Sequence, residues 1–261
     1  MMASARVLLR WAGPVLLAAA TPLQPARAQD AVPPGHFDLQ LAVEQSSGRY
    51  NEAAATRIAT STLVARYRAQ TWVGEVQVPW VEVRSANATG GLPGTVLSGG
   101  TVERGLGDIW LKLGVELQEF RTDGVGVDMT LKLKSRSGDS TRGLGSGGTD
   151  VAVQVELLRQ LGAVVGFGHV GYRHTGDVAG FAAYRNPWYG GLGAYYVATP
   201  AWEIGAFMDT REPVGRLGSL REASLYAAWL HGAQRVQFYL TRGFATASPD
   251  WALGLSLRHR F

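Results

Sequence analysis

The chain has 261 residues, enough for one large all-β domain, with 34 glycines, a charged fraction of only 18% and no cysteine. The missing cysteine excludes disulfides, thiolate metal sites, cysteine nucleophiles and a lipid-modified N-terminal cysteine. The formal charge of +4 falls to +1 once Arg6, Arg10 and Arg27 are set aside with the leader described next. That leaves no basic cluster to neutralise phosphates and excludes nucleic acid as a partner.

Residues 1–28 read as a secretory signal peptide. Arg6 and Arg10 supply the positive start, Val7 to Ala20 is apolar, and Thr21 to Ala28 is polar with Pro22 and Pro25. The stretch closes on Ala26-Arg27-Ala28, so cleavage is expected after Ala28. The apolar part is too short and too interrupted for a membrane anchor, and nothing after it approaches the roughly 20 apolar residues of a spanning helix. A short periplasmic segment, 29–35, then leads into the folded domain, 36–261.

From there apolar and polar residues alternate with period 2, the signal of a strand. Phe37, Leu39, Leu41 and Val43 alternate with Asp38, Gln40 and Glu44. Ile109, Leu111, Leu113, Val115 and Leu117 alternate with Trp110, Lys112, Gly114, Glu116 and Gln118. The turn Arg121-Thr122-Asp123-Gly124, whose Asp-Gly pair tolerates positive φ, leads to Val125, Val127, Met129, Leu131 and Leu133 on one face. Gly126, Asp128, Thr130, Lys132 and Lys134 take the other. Segments 163–174 and 187–198 carry glycines and tyrosines on both faces and leave inside and outside unassigned. Trp202, Ile204, Ala206 and Met208, then Val236, Phe238 and Leu240, then Trp251, Leu253, Leu255 and Leu257 resume the pattern. In all there are about twelve segments: 36–45, 56–67, 71–84, 107–120, 125–135, 150–159, 163–174, 187–198, 201–210, 220–230, 235–244 and 250–261. Most are near the roughly 9–11 residues of a tilted membrane-crossing strand.

The connections alternate in length. Short ones follow Tyr67, Phe120, Arg159, Ala198 and Leu230; longer ones are 46–55, 85–106, 136–149, 175–186 and 211–219, while 245–249 departs from the trend. Short turns on one side and long loops on the other is the layout of outer-membrane barrels. An even strand count puts both termini on the periplasmic side. A soluble sandwich would alternate too, but three features favour the membrane. Charged or polar residues recur in mid-strand on one face: Lys112, Glu116, Asp128, Lys132, Glu156, Glu203, Asp209 and Arg258 are the lumen-facing candidates. Tyr67, Trp72, Trp80, Trp188, Trp202, Trp229 and Trp251 lie near strand ends, as interfacial girdles do. The chain closes on Phe261, an aromatic C-terminus of the kind that barrel insertion machinery reads. The expected fold is therefore an all-β, transmembrane, antiparallel up-and-down barrel of about twelve strands. It is expected to be monomeric, surrounded by outer-membrane lipid, with a narrow lumen.

Inside such a barrel, Lys112 or Lys132 would pair across strands with Glu116 or Asp128. Such charges act as structural glue or set what passes. Segment 85–106 either folds inward as a constriction or stays outside. No cofactor site is apparent. Gly143 to Gly148 links two strands and opens no helix to hold phosphate, and the five histidines form no metal-binding cluster. A serine hydrolase would need a bonded nucleophile and base; the nearest candidates are His174 with Ser137, Ser140 or Ser146.

Four stretches in order carry a family likeness: Val78-Pro79-Trp80, Gly105-Leu106-Gly107-Asp108, Gly145-Ser146-Gly147-Gly148-Thr149-Asp150 and Gly171-Tyr172-Arg173-His174. They resemble the transporter-like outer-membrane family called MetA-pathway of phenol degradation. One departure is the absence of proline in 134–139, where that family carries one. The resemblance implies a small outer-membrane channel, linked in some members to aromatic or hydrophobic solutes. Gly105, Gly107, Gly145 and Gly147 then serve tight loop openings, and Asp108 and Asp150 cap a loop or face the lumen. The leading functional expectation is passive or facilitated passage of a small solute of unknown identity. The alternatives are a lipid-modifying hydrolase and a closed structural or adhesive barrel, for which bulky residues such as Tyr226 and Tyr239 would be the filling.

Overall fold

A computed structural model describes residues 35–50, 55–85, 102–118, 124–176, 185–214 and 218–261. The expected signal peptide, the 29–34 part of the segment after it, and residues 121–123 of the Asp-Gly turn lie outside these residues. Among the described residues the chain forms β1 (His36–Gly48), β2 (Thr56–Arg68), β3 (Trp72–Ser85), β4 (Val102–Leu106), β5 (Trp110–Gln118), β6 (Val125–Lys134), β7 (Asp150–Leu161), β8 (Val164–His174), β9 (Trp188–Thr199), β10 (Trp202–Arg211), β11 (Leu220–His231), β12 (Gln234–Gly243) and β13 (Trp251–Arg260). Every pairing is antiparallel, and β1 closes on β13 from Asp38↔Arg260 to Ser47↔Trp251.

β4 and β5 share one place in the wall, so the barrel has twelve positions. β4 pairs with the far half of β3, ending at Trp80↔Leu106, and β5 resumes at Gln77↔Trp110. The sequence reading expected one strand over 107–120 and a loop up to 106; the structure corrects both. The break lies opposite Val78 and Pro79, and proline has no N–H to complete the ladder. Three residues, 107–109, face two, a bulge, held by the Gly107 N–H donating to the Pro79 carbonyl at 2.9 Å.

The two faces of the wall have opposite character. On β1, Phe37, Leu39, Leu41 and Val43 are exposed, whereas His36, Asp38 and Gln40 are buried. The buried set as a whole holds more polar and charged side chains than apolar ones. A water-soluble fold would have this reversed; the arrangement suits a hydrocarbon surround and requires closure, because lipid offers no partner to an unpaired edge. Aromatic pairs mark the boundaries. Tyr67 and Trp72 (5.5 Å) and the cross-strand pair Trp202↔Trp229 lie at the short-turn rim. Trp80 and the pair Tyr172–Trp188 (5.1 Å) lie toward the long-loop rim. Trp72 to Trp80 is about 26 Å along the strand at about 3.3 Å per residue, or about 20 Å of depth at a tilt of about 40°, comparable to the roughly 25 Å apolar band of such barrels.

Beyond Trp80 the pattern inverts. Arg84 and Glu82 face outward and pair at 2.6 Å, while Val81, Val83 and Ile58 are buried inside. These strand ends follow the rule for water and stand clear of the apolar band.

β8 and β9 resolve once aromatics are allowed to face inward. Phe167 lies over Gly193, Tyr189 over Gly171, Tyr226 over Gly205 and Tyr239 over Gly254, each directly across the ladder. The glycine leaves bare backbone on which the neighbouring ring rests, a cross-strand pairing known to rescue glycine in sheets. A Cβ at Gly254 would sit 2.0 Å from Tyr239 Cζ. Gly254→Ala is therefore expected to destabilise the barrel by about 1–3 kcal/mol through overpacking, and Tyr239→Ala in the same chain should remove most of that added cost. Urea midpoints in lipid vesicles, compared across the four variants of this cycle, would test it; a cost independent of Tyr239 would contradict it.

Candidate functional site

The lumen is built from the inward residues of all twelve wall positions, and the loop between β6 and β7 enters its mouth. This loop, 135–149, carries a short 3-10 turn, Ser140–Arg142. Leu144 at its tip is 1% exposed and packs with Ile58, Val81 and Val83 on the inner wall. Tyr50 packs against the same cluster, and burial pushes its phenol above the usual range.

Asp108 fastens the loop. Its Oδ1 accepts the Gly138 N–H at 3.0 Å, and its Oδ2 accepts the Ser146 N–H at 2.8 Å and the Ser146 hydroxyl at 3.0 Å. Lys134 Nζ lies 3.6 Å from Asp108 and 2.9 Å from Asp150, and donates to Ser146 Oγ. Asp150 in turn accepts the Gly176 N–H at 3.2 Å and stands 3.9 Å from Arg173. The two glycine-aspartate motifs, distant in sequence, thus meet in one knot. Its glycines are needed for close approach: a Cβ at Gly145 would lie 2.5 Å from Asp108 Oδ1, and one at Gly105 would lie 2.9 Å from Leu144 Cδ1. Gly107 carries the bulge, and Gly147 turns the chain at φ +74°. At the solvent edge Arg142 pairs with Glu103 at 2.8 Å. Asp139 caps the turn through Thr141 and Arg142, and the Thr141 hydroxyl bond foremost holds its carboxyl below the usual range. Of segment 85–106, the part 86–101 lies outside the described residues; among the described loops it is 135–149 that folds inward.

Deeper in the lumen, the pairing of charges differs from the sequence expectation. Lys112 bonds Glu75 at 3.0 Å and Lys132 donates to Gln154 at 2.7 Å, rather than either meeting Glu116 or Asp128. The cause is register. Lys112 faces Glu75 across the β3–β5 ladder but faces Lys132 across β5–β6. Glu75 is also held by Arg66 and by Gln77 Nε2 (2.7 Å). Glu203 pairs with Arg235, His169 stands 3.5 Å from Asp209, and the Tyr239 hydroxyl donates to Glu44 at 2.5 Å. Glu156 is 1% exposed, and Arg258 lies in a half-buried position directly opposite Arg235. Glu116, Asp128 and Glu156 stand directly opposite one another on β5, β6 and β7. Sequence reading missed Arg66, Glu75 and Leu144; Arg66 and Glu75 sat in the alternation of β2 and β3, but Leu144 had no periodic signal at all. Tyr226 and Tyr239 join a buried cluster with Phe167 and Tyr195 along the β8–β12 wall.

The Ser137 hydroxyl donates to the Gly107 carbonyl at 3.0 Å, and Ser146 is engaged by Asp108, so both serve the loop. At the C-terminus the Phe261 N–H donates to the Phe37 carbonyl at 2.8 Å and its ring meets His259 and Phe37 at the seam of the barrel.

No family model matches the chain, and no curated protein matches it in sequence. Among solved structures its fold is similar to that of an outer membrane channel from Pseudomonas putida F1, with 16% identity and a TM-score of 0.67 over 92% of this chain and 100% of that one. It is also similar to the KdgM porin in complex with disordered oligogalacturonate, with 7% identity and a TM-score of 0.55 over 87% and 99% of the two chains. At these identities the likeness is one of fold.

Asp108→Asn keeps the shape but weakens the knot. Charge-assisted hydrogen bonds contribute about 1.5–3 kcal/mol each, so tryptic cleavage after Arg142 in the folded, detergent-solubilised protein should quicken by about tenfold or more through local opening. An unchanged cleavage rate would show that Asp108 does not hold the loop.

Proposed function

We propose that the chain is a passive channel of the bacterial outer membrane for small solutes, reached by export with cleavage after Ala28. One observation carries the reading. Lumen groups such as Gln77 Oε1, Glu156 Oε1, Glu222 Oε1 and Arg211 Nε are buried without a protein partner. Dry burial of such atoms costs several kcal/mol, so walls of this kind call for water inside a shell that faces lipid. A water-filled barrel passes what its walls and its narrowest level allow. The similarity in fold to an outer membrane channel and to a porin supports the same reading.

On this reading the inward residues Lys112, Glu116, Asp128, Lys132, Glu156, Glu203, Asp209 and Arg258 set which solutes pass, and the 135–149 loop narrows the external mouth. Short turns face the periplasm, Phe261 presents the C-terminal strand to the insertion machinery, and one chain is the working unit. The motif resemblance to the MetA-pathway family adds hydrophobic or aromatic solutes as the class to try first. The aromatic cluster on the β8–β12 wall favours a narrow passage, and a closed structural barrel is the second reading for that reason.

Purified protein that shifts on a gel between unboiled and boiled samples and then gives discrete current steps in planar bilayers is the expected result. A heat-modifiable barrel that never conducts and never supports liposome swelling would select the closed barrel instead.

A further inference from the structure

We propose that the lumen passes cations in preference to anions, along a row of carboxylates that climbs the inner wall; this rests on the channel reading above. The row follows the hydrogen-bonded register. Glu116 on β5 faces Asp128 on β6, which faces Glu156 on β7, which faces His169 on β8. His169 faces Gly191 on β9, which faces Asp209 on β10, which faces Glu222 on β11. At Gly191 a Cβ would lie 2.4 Å from Asp209 Oδ1 and 2.8 Å from His169 Cε1, so glycine there lets the two side chains meet and keeps the row continuous. At about 4.8 Å per strand the row is roughly 30 Å long. Glu116 lies near the short-turn end of β5 and Glu222 near the long-loop end of β11, so the row runs from one mouth of the lumen to the other. A cavity at the short-turn rim is lined by Glu116 and Asp128, together with Arg68, Val73 and Gly114.

The row forms no ion pair with a Lys or Arg, and among the described lumen cations Arg68, Lys132, Arg211 and Arg258 stand outside ion pairs as well; the remaining lumen cations are held elsewhere. Arg66 and Lys112 are held by Glu75, Lys134 by Asp150, Arg235 by Glu203 and Arg260 by Asp38. Among the described residues no Lys or Arg forms an ion pair with Glu116, Asp128, Glu156, Asp209 or Glu222. Glu156 is 1% exposed and Glu222 5%, and each aims a carboxylate oxygen that has no hydrogen-bond partner. The cations whose fields reach the row, Arg68, Lys112, Lys132 and Arg211, do not ion-pair with it, and Lys132 is turned to Gln154 and over the Tyr189 ring at 5.3 Å. Like charges directly opposed on neighbouring strands are destabilising, and the fields of Arg68, Lys112 and Lys132, none of which bonds Glu116, Asp128 or Glu156 directly, compensate three in succession only in part. A string of mobile cations from the solvent supplies the rest, and anions are repelled from the same wall by Coulomb's law.

The test is the reversal potential of the purified full chain in planar bilayers under a tenfold KCl gradient. The wild type is expected to favour K⁺ over Cl⁻ by about threefold or more, as acidic pore walls do. The isosteric double variant Asp128→Asn/Glu156→Gln should bring that ratio close to unity in a barrel that remains heat-modifiable, and Lys132→Gln should raise it. If the double variant does not give a heat-modifiable barrel, Glu116→Gln alone should still lower the ratio. An unselective or anion-selective wild type, or a folded neutralised variant with an unchanged ratio, overturns the inference and leaves the channel standing. A folded barrel with neither current nor liposome swelling would overturn the channel reading and this inference together.

Discussion

The constraint on which this structure depends is that hydrocarbon cannot hydrogen-bond a peptide group. Each strand must therefore be paired on both sides, and the sheet has no tolerable end. The β1–β13 seam, with its ten registered residue pairs from Asp38↔Arg260 to Ser47↔Trp251, removes the last edge. Everything else follows from that closure. It creates a lumen, it sends alternate side chains to lipid and to water, and it fixes through register which inward residues meet. The place where the ladder fails, opposite Pro79, is also the place where the wall bulges and Asp108 turns to hold a loop. One missing N–H thus prepares the anchor of the narrowest feature near the mouth.

Much of this could be read in the sequence, because a period of two is written residue by residue. Strands such as Val125–Lys134 and Trp251–Arg260 have a plain apolar face and a plain polar one, and their limits in the structure fall within a residue or so of the expected ones. β8 and β9 could not be read in this way. Their inward positions hold Phe167, Tyr189 and Tyr195, which look lipid-facing, and the glycines beneath two of these rings carry no polarity at all. The inversion beyond Trp80 was hidden for a related reason: alternation continues unbroken while the solvent on the outer face changes from lipid to water. The partners of Lys112 were illegible because they depend on which strand lies on each side and at what offset, not on spacing along one strand. The glycine-aspartate motifs were visible as motifs, but only the fold brings Asp108, Lys134, Ser146 and Asp150 together.

The interior divides its charges by use. Glu75, with Arg66, Lys112 and Gln77 around it, is a compensated buried group whose loss of one partner would leave an unpaired charge, a costly event in a low-dielectric wall. Glu156 and Glu222 keep an oxygen free. Paired charges recur around the wall, at Glu75 with Arg66 and Lys112, at Lys134 with Asp150 and at Glu203 with Arg235, while the row without Lys or Arg partners crosses β5–β11, where aromatic rings seated on glycines narrow the space. The loop knot at the mouth and the carboxylate row within are separate features. Lys134 and Lys132 are neighbours on the inward face of β6: the first serves the knot, and the second turns to Gln154 beside the row.

Within the apolar band one face of each strand meets lipid and the other meets water, and the absence of native cysteine makes this directly measurable. Single cysteines placed along β6, at Asp128, Met129, Thr130, Leu131, Lys132 and Leu133, can be reacted with a charged aqueous thiol reagent after reconstitution into vesicles. Rapid modification is expected at the half-buried inward positions Asp128 and Lys132, slower modification at the buried inward position Thr130, and protection at Met129, Leu131 and Leu133. Uniform labelling, or labelling with the inward and outward sets exchanged, would contradict this alternation.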